Sequence, residues 1–262
     1  MKTVLVKLGG EVVGGRLAEI ADELVAITKT GTRVVVSHGG GPQVTALSTR
    51  LGLATTMVAG RRVTDAATLE SVQLAIVGQV NVALQNGLQR AGLRAVGVHG
   101  VIEARRRPPK VLPGAGPDPV DLGFVGDPTE FDVALLRHLL DGGYLPVVAC
   151  LGHDRDGAPL NIHADLVANQ LARALAVDAL VLVTSAPGVL ADAKDPASRI
   201  PRLTVAEGRA LIASGAAQGG MIAKLDESLS AIEAGVPAIY IVKDAIARAL
   251  DAPGSVGTVL VP

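Results

Sequence analysis

Two patterns predict the fold class of this 262-residue chain. Short runs of aliphatic and β-branched residues, typical of buried parallel strands, alternate with segments whose apolar residues recur at helical spacing. This alternation favours an α/β fold, in which a mainly parallel open sheet carries helices on both faces. Glycines directly follow several of the strands. They place close turns at the carboxyl ends of the strands, where open α/β sheets bind their ligands.

The first predicted strand, 3–6, leads into Lys7 and then into Gly9 and Gly10. A lysine at this end of a strand places a compact positive charge at the ligand crevice, and lysine commonly binds phosphate. A solvent-facing lysine before a turn would have the same local sequence. The segment that follows, 17–28, has helical spacing of its apolar residues.

The second predicted strand, 33–37, runs into His38 and the triple glycine 39–41, and a helix is predicted over 44–51. Consecutive glycines between a strand and a helix can aim several backbone N–H groups at an anion, helped by the helix N-terminus. The alternative is a flexible connector. Three glycines in this position favour a site for an anion or a carboxylate.

Arg62 precedes the helix predicted over 66–88, and an arginine at the mouth of this crevice could clamp a carboxylate with two hydrogen bonds. The helix has apolar residues on more than one face, which indicates a core position or a subunit interface. The Pro- and Gly-rich stretch 101–127 is interpreted as a hairpin or flap over the site. Its arginine cluster, 105–107, is interpreted as a solvated loop.

In the second half, Asn161 and Asp165 open a helix that is predicted to end near residue 176. A parallel-type strand is predicted over 179–184 and a helix over 204–214, with Thr204 as its N-cap. A glycine-rich stretch, 215–220, precedes a further helix that begins with residues 221–224. The closing strands are predicted at 238–242 and 256–261.

Composition excludes several classes of function. Aromatic residues make up 2% of the chain and the formal net charge is −1, so a nucleic-acid surface is not expected. The single cysteine, Cys150, lies in an apolar run and is interpreted as a small buried hydrophobe in a reducing compartment. No signal peptide or membrane span is expected, and we predict a cytoplasmic protein. The five histidines are scattered, and no Cys/His cluster has the spacing of a metal site.

Lys7, Lys224 and Asp165 together indicate one chemistry. Phosphoryl transfer requires positioning and positive charge around a transition state whose negative charge spreads over the phosphoryl oxygens. Two lysines held by one aspartate between them would supply that charge. The sequence contains no P-loop motif and no dinucleotide-binding fingerprint.

The sequence resembles the amino acid kinase family, and within it the branch that phosphorylates N-acetyl-L-glutamate. The resemblance covers nearly the whole chain. It rests on five separated motifs: Lys-Leu-Gly-Gly at 7–10, His-Gly-Gly-Gly-Pro at 38–42, Gly-x-Arg-Val-Thr at 60–64, Asn-x-x-Ala-Asp at 161–165 and Gly-Gly-Met-x-x-Lys at 219–224.

The resemblance implies a role for each motif. Lys7 would contact the transferring phosphate, Lys224 would stabilise the leaving phosphate, and Asp165 would orient both lysines. The residues implied in binding the acyl amino acid are Gly40, Gly41, Arg62 and Asn161. Those implied in binding the nucleotide are Gly9, Gly10, Ser185, Pro187, Gly188, Leu190, Ala216 and Gln218.

The implied fold is a three-layer αβα sandwich of the carbamate kinase type. Its amino-terminal lobe, 1–176, would bind the acyl amino acid and form the dimer, and its carboxyl-terminal lobe, 177–262, would bind ATP on the same continuous sheet. The implied reaction transfers a phosphoryl group from ATP to the γ-carboxylate of N-acetyl-L-glutamate, the second step of arginine biosynthesis. Mg²⁺ would be carried on the nucleotide, with no metal site on the protein.

The chain departs from the family pattern at Ser185, where aspartate is usual, at His163, where asparagine is usual, and over 97–103. Because the chain begins at its first strand, we predict a homodimer without feedback by arginine. Two alternatives remain open at this point. One is a kinase of the same fold acting on a carrier-bound aminoadipate or glutamate, and the other is a catalytically silent ligand-binding protein.

Overall fold

The computed structural model describes residues 1–112, 115–192, 194–215 and 220–262. Within these ranges, the strands in chain order are β1 Thr3–Leu8, β2 Arg33–His38, β3 Met57–Val58, β4 Arg61–Arg62, β5 Ala95–Val98, β6 Ile102–Arg106, β7 Gly126–Phe131, β8 Leu145–Ala149, β9 Leu151–His153, β10 Pro159–Asn161, β11 Ala179–Val183, β12 Arg202–Thr204, β13 Ile239–Val242 and β14 Thr258–Val261.

Ten α-helical segments connect these strands in the described ranges. They are α1 Gly10–Val13, α2 Leu17–Lys29, α3 Gly41–Arg50, α4 Ala66–Gln73, α5 Val82–Arg90, α6 Val133–Asp141, α7 Ala164–Leu175, α8 Val205–Ala213, α9 Gly220–Glu233 and α10 Ile246–Asp251. The predicted N-cap of α8 is confirmed, because Thr204 and Glu207 form a reciprocal capping box.

The central sheet has eight strands in the order β12-β14-β13-β11-β1-β2-β8-β5. All neighbouring pairs are parallel except β13 and β14. The mainly parallel sheet predicted from the sequence is therefore confirmed. In register, Lys7 on β1 pairs with Ser37 on β2 and with Leu182 on β11, so the carboxyl ends of these three strands meet at one edge.

Side chains of β1 alternate between two hydrophobic cores, as the two-residue period of a strand requires. Leu5 packs in the core that contains residues of α6, α7 and α9. Val4, Val6 and Leu8 pack in the core that contains residues of α2, α5 and α10. Each face of the sheet is thus covered by helices, which gives the three αβα layers.

A second sheet, of four strands in the order β10-β9-β6-β7, includes part of the region 101–127 that was expected to form a hairpin or flap. Its β6 and β7 are antiparallel and are joined by the Pro- and Gly-rich connection. The prediction of a hairpin is confirmed. The arginine cluster differs from its interpretation as a solvated loop, because Arg105 and Arg106 belong to β6 and Arg107 is buried.

Helices α4 and α5 form one helix, 66–90, whose middle part, Leu74–Asn81, is π-helical. By length and composition this helix could cross a membrane, with a mean hydropathy of 1.2, but 50% of that apolar window is buried inside the molecule, as in a core helix. The exposed side includes Leu74 and Val82, which are 49% and 48% exposed.

Candidate active site

Two lysines and one aspartate meet at the carboxyl edge of the central sheet. Lys7 Nζ lies 2.5 Å from Asp165 Oδ1, and Lys224 Nζ lies 2.5 Å from Asp165 Oδ2. The lysines thus contact different oxygens of a single carboxylate. The structure brings together the three residues that the sequence predicted to be catalytic.

The fold fixes each member of this cluster on a rigid element. Lys7 lies near the end of β1, Asp165 in the first turn of α7, and Lys224 in the first turns of α9. Lys7 and Asp165 are each 8% exposed. Charges so far removed from water are costly unless they are paired, and here each is paired.

The three charges control each other's protonation. Burial alone would raise the pKa of the Asp165 carboxyl, but the adjacent Lys7 and Lys224 ammonium groups outweigh it and hold that pKa well below its ordinary value. Burial lowers the pKa of Lys224, and the Asp165 carboxylate opposes that shift. Asp165 is therefore an anion at neutral pH and orients both ammonium groups.

Glycines allow two backbone turns to approach each other beside this cluster. A Cβ atom at Gly10 would lie 2.9 Å from the Gly40 Cα atom and 2.9 Å from Pro42 Cδ. One at Gly40 would lie 2.6 Å from Ile76 Cδ1. Gly9 is the N-cap of α1 and Gly40 is the N-cap of α3, so both turns open helices toward the crevice.

A cavity of about 270 Å³ lies on one side of the cluster, between α3, the hairpin β3–β4 and the second sheet. All four residues predicted to bind the acyl amino acid line it: Gly40, Gly41, Arg62 and Asn161. The Nη2 group of Arg62 donates to Thr45 Oγ1 at 2.7 Å and to the Gly41 carbonyl oxygen at 3.2 Å. Asn161 Nδ2 donates to Thr64 Oγ1 at 3.0 Å.

A second cavity, of about 580 Å³, lies on the other side of the cluster. It is lined by Lys224 together with three of the residues predicted to bind the nucleotide, which are Gly9, Gly10 and Ser185. Two chain turns and the start of α9 therefore surround a space that can accept polyphosphate.

The other residues predicted to bind the nucleotide have different positions. Pro187, Gly188 and Leu190 are described, and none of them lines either cavity. Gly188 packs against Thr258, whose Oγ1 would lie 2.7 Å from a Cβ atom there. Ala216 and Gln218 lie outside the described residues. Roles for these five residues stay predictions from the family resemblance.

Arg107 is a site residue that the sequence analysis missed. It lines the first cavity, is 8% exposed, and forms an ion pair with Asp127 on β7. Its backbone N–H donates to the Val125 carbonyl oxygen at 2.8 Å. The interpretation of 105–107 as a solvated loop is wrong for Arg107, because the pairing of β6 with β7 folds this residue inward.

His38 is buried under the triple-glycine turn. Its Nδ1 atom lies 2.9 Å from the Gly39 carbonyl oxygen, and Asn81 Nδ2 lies 2.9 Å from its Nε2 atom. The carbonyl requires a donor at Nδ1 and the amide requires an acceptor at Nε2, which assigns the neutral Nδ1–H tautomer. Burial lowers the pKa of His38 to about 4, consistent with this neutral form.

Cys150 is buried, as predicted, and it also lines the first cavity. Burial raises the pKa of its thiol to about 11. A thiol of this kind is a weak nucleophile at neutral pH, so Cys150 contributes packing rather than covalent chemistry.

Comparisons with known proteins agree with this geometry. Residues 2–243 match the model of the amino acid kinase family. The chain is 54% identical to an acetylglutamate kinase of Sorangium cellulosum, over 99% of this chain and 94% of the relative. It is 52% identical to an acetylglutamate kinase of Anaeromyxobacter sp. strain Fw109-5, over 100% of both chains.

The fold also matches a solved carbamate kinase of Giardia lamblia bound to AMP-PNP, with a TM-score of 0.73 and 20% identity over 99% of this chain and 98% of that one. This likeness agrees with the sandwich described above. Motifs, cavities and relatives lead to the same result, and the chain belongs to the amino acid kinase family.

Proposed function

We propose that this protein is an acetylglutamate kinase, which transfers the γ-phosphoryl group of ATP to the γ-carboxylate of N-acetyl-L-glutamate in arginine biosynthesis. Full-length relatives at 52–54% identity carry that name. The observation that carries the proposal is the position of the lysine pair on Asp165, between a small cavity with Arg62 and Asn161 and a second cavity lined by glycines.

The chemistry follows from the charges. Arg62 and Asn161 would bind the α-carboxylate and leave the γ-carboxylate facing Lys7, and the backbone N–H groups of Gly40 and Gly41 would hold the acyl group. The γ-carboxylate oxygen attacks the γ-phosphorus of ATP, the bond to the bridging oxygen breaks, and ADP leaves. Lys7 offsets the negative charge on the transferring group, and Lys224 offsets that on the leaving phosphate.

The residues present suit a Mg²⁺ ion that arrives on the nucleotide. No group of three or more His, Cys, Asp or Glu side chains with metal-binding geometry occurs in the described ranges. Mg²⁺ is commonly held by substrate phosphates and water with few protein ligands. When bound, the ion would neutralise phosphate charge, while the two lysines and Asp165 act from the protein side.

Three further proposals concern organisation. The sheet supports two lobes, 1–176 and 177–262, because β11–β14 all lie on one side of β1 while β2, β5 and β8 lie on the other. The exposed apolar side of the helix 66–90 supports a homodimer built on that helix. The free, buried Cys150 fits the reducing environment of a cytoplasmic enzyme.

Turnover tests the proposal directly. ADP release is measured with Mg-ATP and, in parallel, N-acetyl-L-glutamate, L-glutamate and aminoadipate. We expect turnover of N-acetyl-L-glutamate, and its loss in Lys7→Ala. Inactivity on all three free acids would contradict the assignment and direct attention to a carrier-bound substrate.

A further inference from the structure

We propose that Arg61 is a third cationic contact for the transferring phosphoryl group, in addition to Lys7 and Lys224. The inference rests on the proposed function, because it concerns the same transfer. Arg61 lies on β4, at the variable position of the Gly-x-Arg-Val-Thr motif and directly before the arginine that lines the acyl amino acid cavity.

The first argument is position. Seven residues line both cavities: Lys7, Gly9, Gly10, Gly60, Arg61, His163 and Asp165. A phosphoryl group that moves from nucleotide to carboxylate must cross this shared boundary. Apart from His163, the basic side chains in this set are those of Lys7 and Arg61. Arg62, by contrast, lines the first cavity and is held by Thr45 and the Gly41 carbonyl.

The second argument is the hairpin that carries Arg61. Strands β3 and β4 pair Val58 with Arg61 across a two-residue turn, Ala59-Gly60, in which both residues have positive φ angles of 47° and 74°. Such a turn matches the twist of a tight hairpin. The turn fixes Arg61 at the first position after it, so its long side chain starts at the boundary between the cavities.

The third argument is charge. Both lysine ammonium groups are already paired with Asp165, which partly offsets their charge. The Arg61 side chain makes no hydrogen bond or ion pair within the described residues, so it is available to a ligand. Arginine presents a planar fork of donors that matches phosphoryl oxygens.

A buried carboxylate, that of Glu227, lies next to one of the residues shared by the two cavities. Glu227 lies on α9 one turn after Lys224, and its Oε2 atom is buried without a hydrogen-bond partner. His163 Nδ1 lies 3.9 Å from that oxygen. Burial raises the pKa of Glu227, and the positive charge of Arg61 acts against that rise.

The test compares Arg61→Gln, Arg61→Lys and the exposed helix variant Arg137→Gln with the unchanged enzyme. We expect Arg61→Gln to lower kcat roughly 100-fold, the lower end of the range seen when one donor to a charged transition state is lost. The KM values for Mg-ATP and N-acetyl-L-glutamate should stay within about threefold, because ground-state binding uses other groups. Arg61→Lys should recover part of the rate, and Arg137→Gln should match the unchanged enzyme.

A second readout is inhibition by Mg-ADP with aluminium fluoride and N-acetyl-L-glutamate, a mimic of the phosphoryl group in flight. Arg61→Gln should weaken this inhibition at least about tenfold and leave inhibition by ADP alone unchanged. A kcat within about twofold of normal, or a change confined to KM, would overturn the inference. If the unchanged enzyme made no product from N-acetyl-L-glutamate, the proposed function itself would be wrong.

Discussion

Lys224 and Asp165 form an ion pair, with Nζ and Oδ2 2.5 Å apart, while the other oxygen of the same carboxylate lies 2.5 Å from Lys7. A single buried anion therefore holds two cations that would otherwise repel each other. This arrangement keeps the Lys7 ammonium group at the boundary between the two cavities and the Lys224 ammonium group on the wall of the second cavity. The site is thus positively charged and ordered before any substrate binds.

Replacing Asp165 with asparagine should reduce kcat at least about 100-fold, because the two lysines lose the anion that orients them. Steady-state ADP release measures the effect, with the exposed variant Asp22→Asn as control. Calorimetric titration should show that N-acetyl-L-glutamate still binds. An Asp165→Asn variant with a normal kcat would show that the carboxylate does not position the lysines.

The turns at Gly10 and Gly40 approach each other so closely that a side chain at Gly10 should disturb both activity and stability. Gly10→Ala should lower kcat/KM at least about tenfold and lower the melting temperature, because its Cβ atom would meet backbone at Gly40. Gly14→Ala is the matched control, since its Cβ atom would make only ordinary contacts at 3.7 Å and beyond. Equal behaviour of the two variants would mean that the turns can separate freely.

The buried His38 makes stability depend on pH. Its folded pKa, lowered by burial to about 4, lies below the ordinary 6.5. Between pH 6.5 and pH 4 the His38 imidazole is protonated in the unfolded chain but neutral in the folded chain. The free energy of unfolding therefore falls as pH drops from about 6.5 toward 4. At pH 5 the loss from His38 should be about 2 kcal/mol relative to pH 7.

Urea unfolding at pH 7 and pH 5 measures this loss, with His38→Gln as comparison. Glutamine retains a donor and an acceptor but does not titrate, so the variant should lose less stability on acidification. Partial burial also lowers the pKa of His163, and because its side chain is 42% exposed it leaves only a small residual loss in both proteins. Identical losses in the two proteins would rule out His38 as the titrating group.

If the exposed apolar side of the helix 66–90 forms the dimer interface, a charge placed on it should weaken the dimer. Leu74→Glu should shift the protein from dimer to monomer in sedimentation experiments, because a carboxylate would then be buried at the proposed interface. Glu70→Gln removes a charge from an exposed position on the same helix and should leave the dimer intact. A monomeric wild-type protein would contradict the homodimer.

Sequence reasoning located the lysine pair because strand order and glycine position carry that information. Lys7 follows a run of strand residues, and the carboxyl ends of parallel strands share one edge of the sheet. Arg62 carried a weak local signal, as an arginine just before a helix cap, whereas the role of Asn161 in substrate binding was implied only by the family motif.

Other features depend on contacts between distant segments, and no local pattern reveals them. Arg107 resembles its exposed neighbours in sequence and is distinguished only by its pairing with Asp127 on another strand. Likewise, the approach of His163 to Glu227 joins the starts of α7 and α9. The departure of His163 from the family pattern was the one available signal, and it did not identify the partner.

The most direct measurement traps the product. With Mg-ATP, N-acetyl-L-glutamate and hydroxylamine, an acyl phosphate is converted to a stable hydroxamate that mass spectrometry can place on the α- or γ-carboxyl. We expect the γ-hydroxamate from the unchanged enzyme, and at least about 100-fold less from Lys224→Met or Asp165→Asn. ADP formation without any γ-hydroxamate, or normal yields from both variants, would contradict phosphoryl transfer to the γ-carboxylate by this lysine pair.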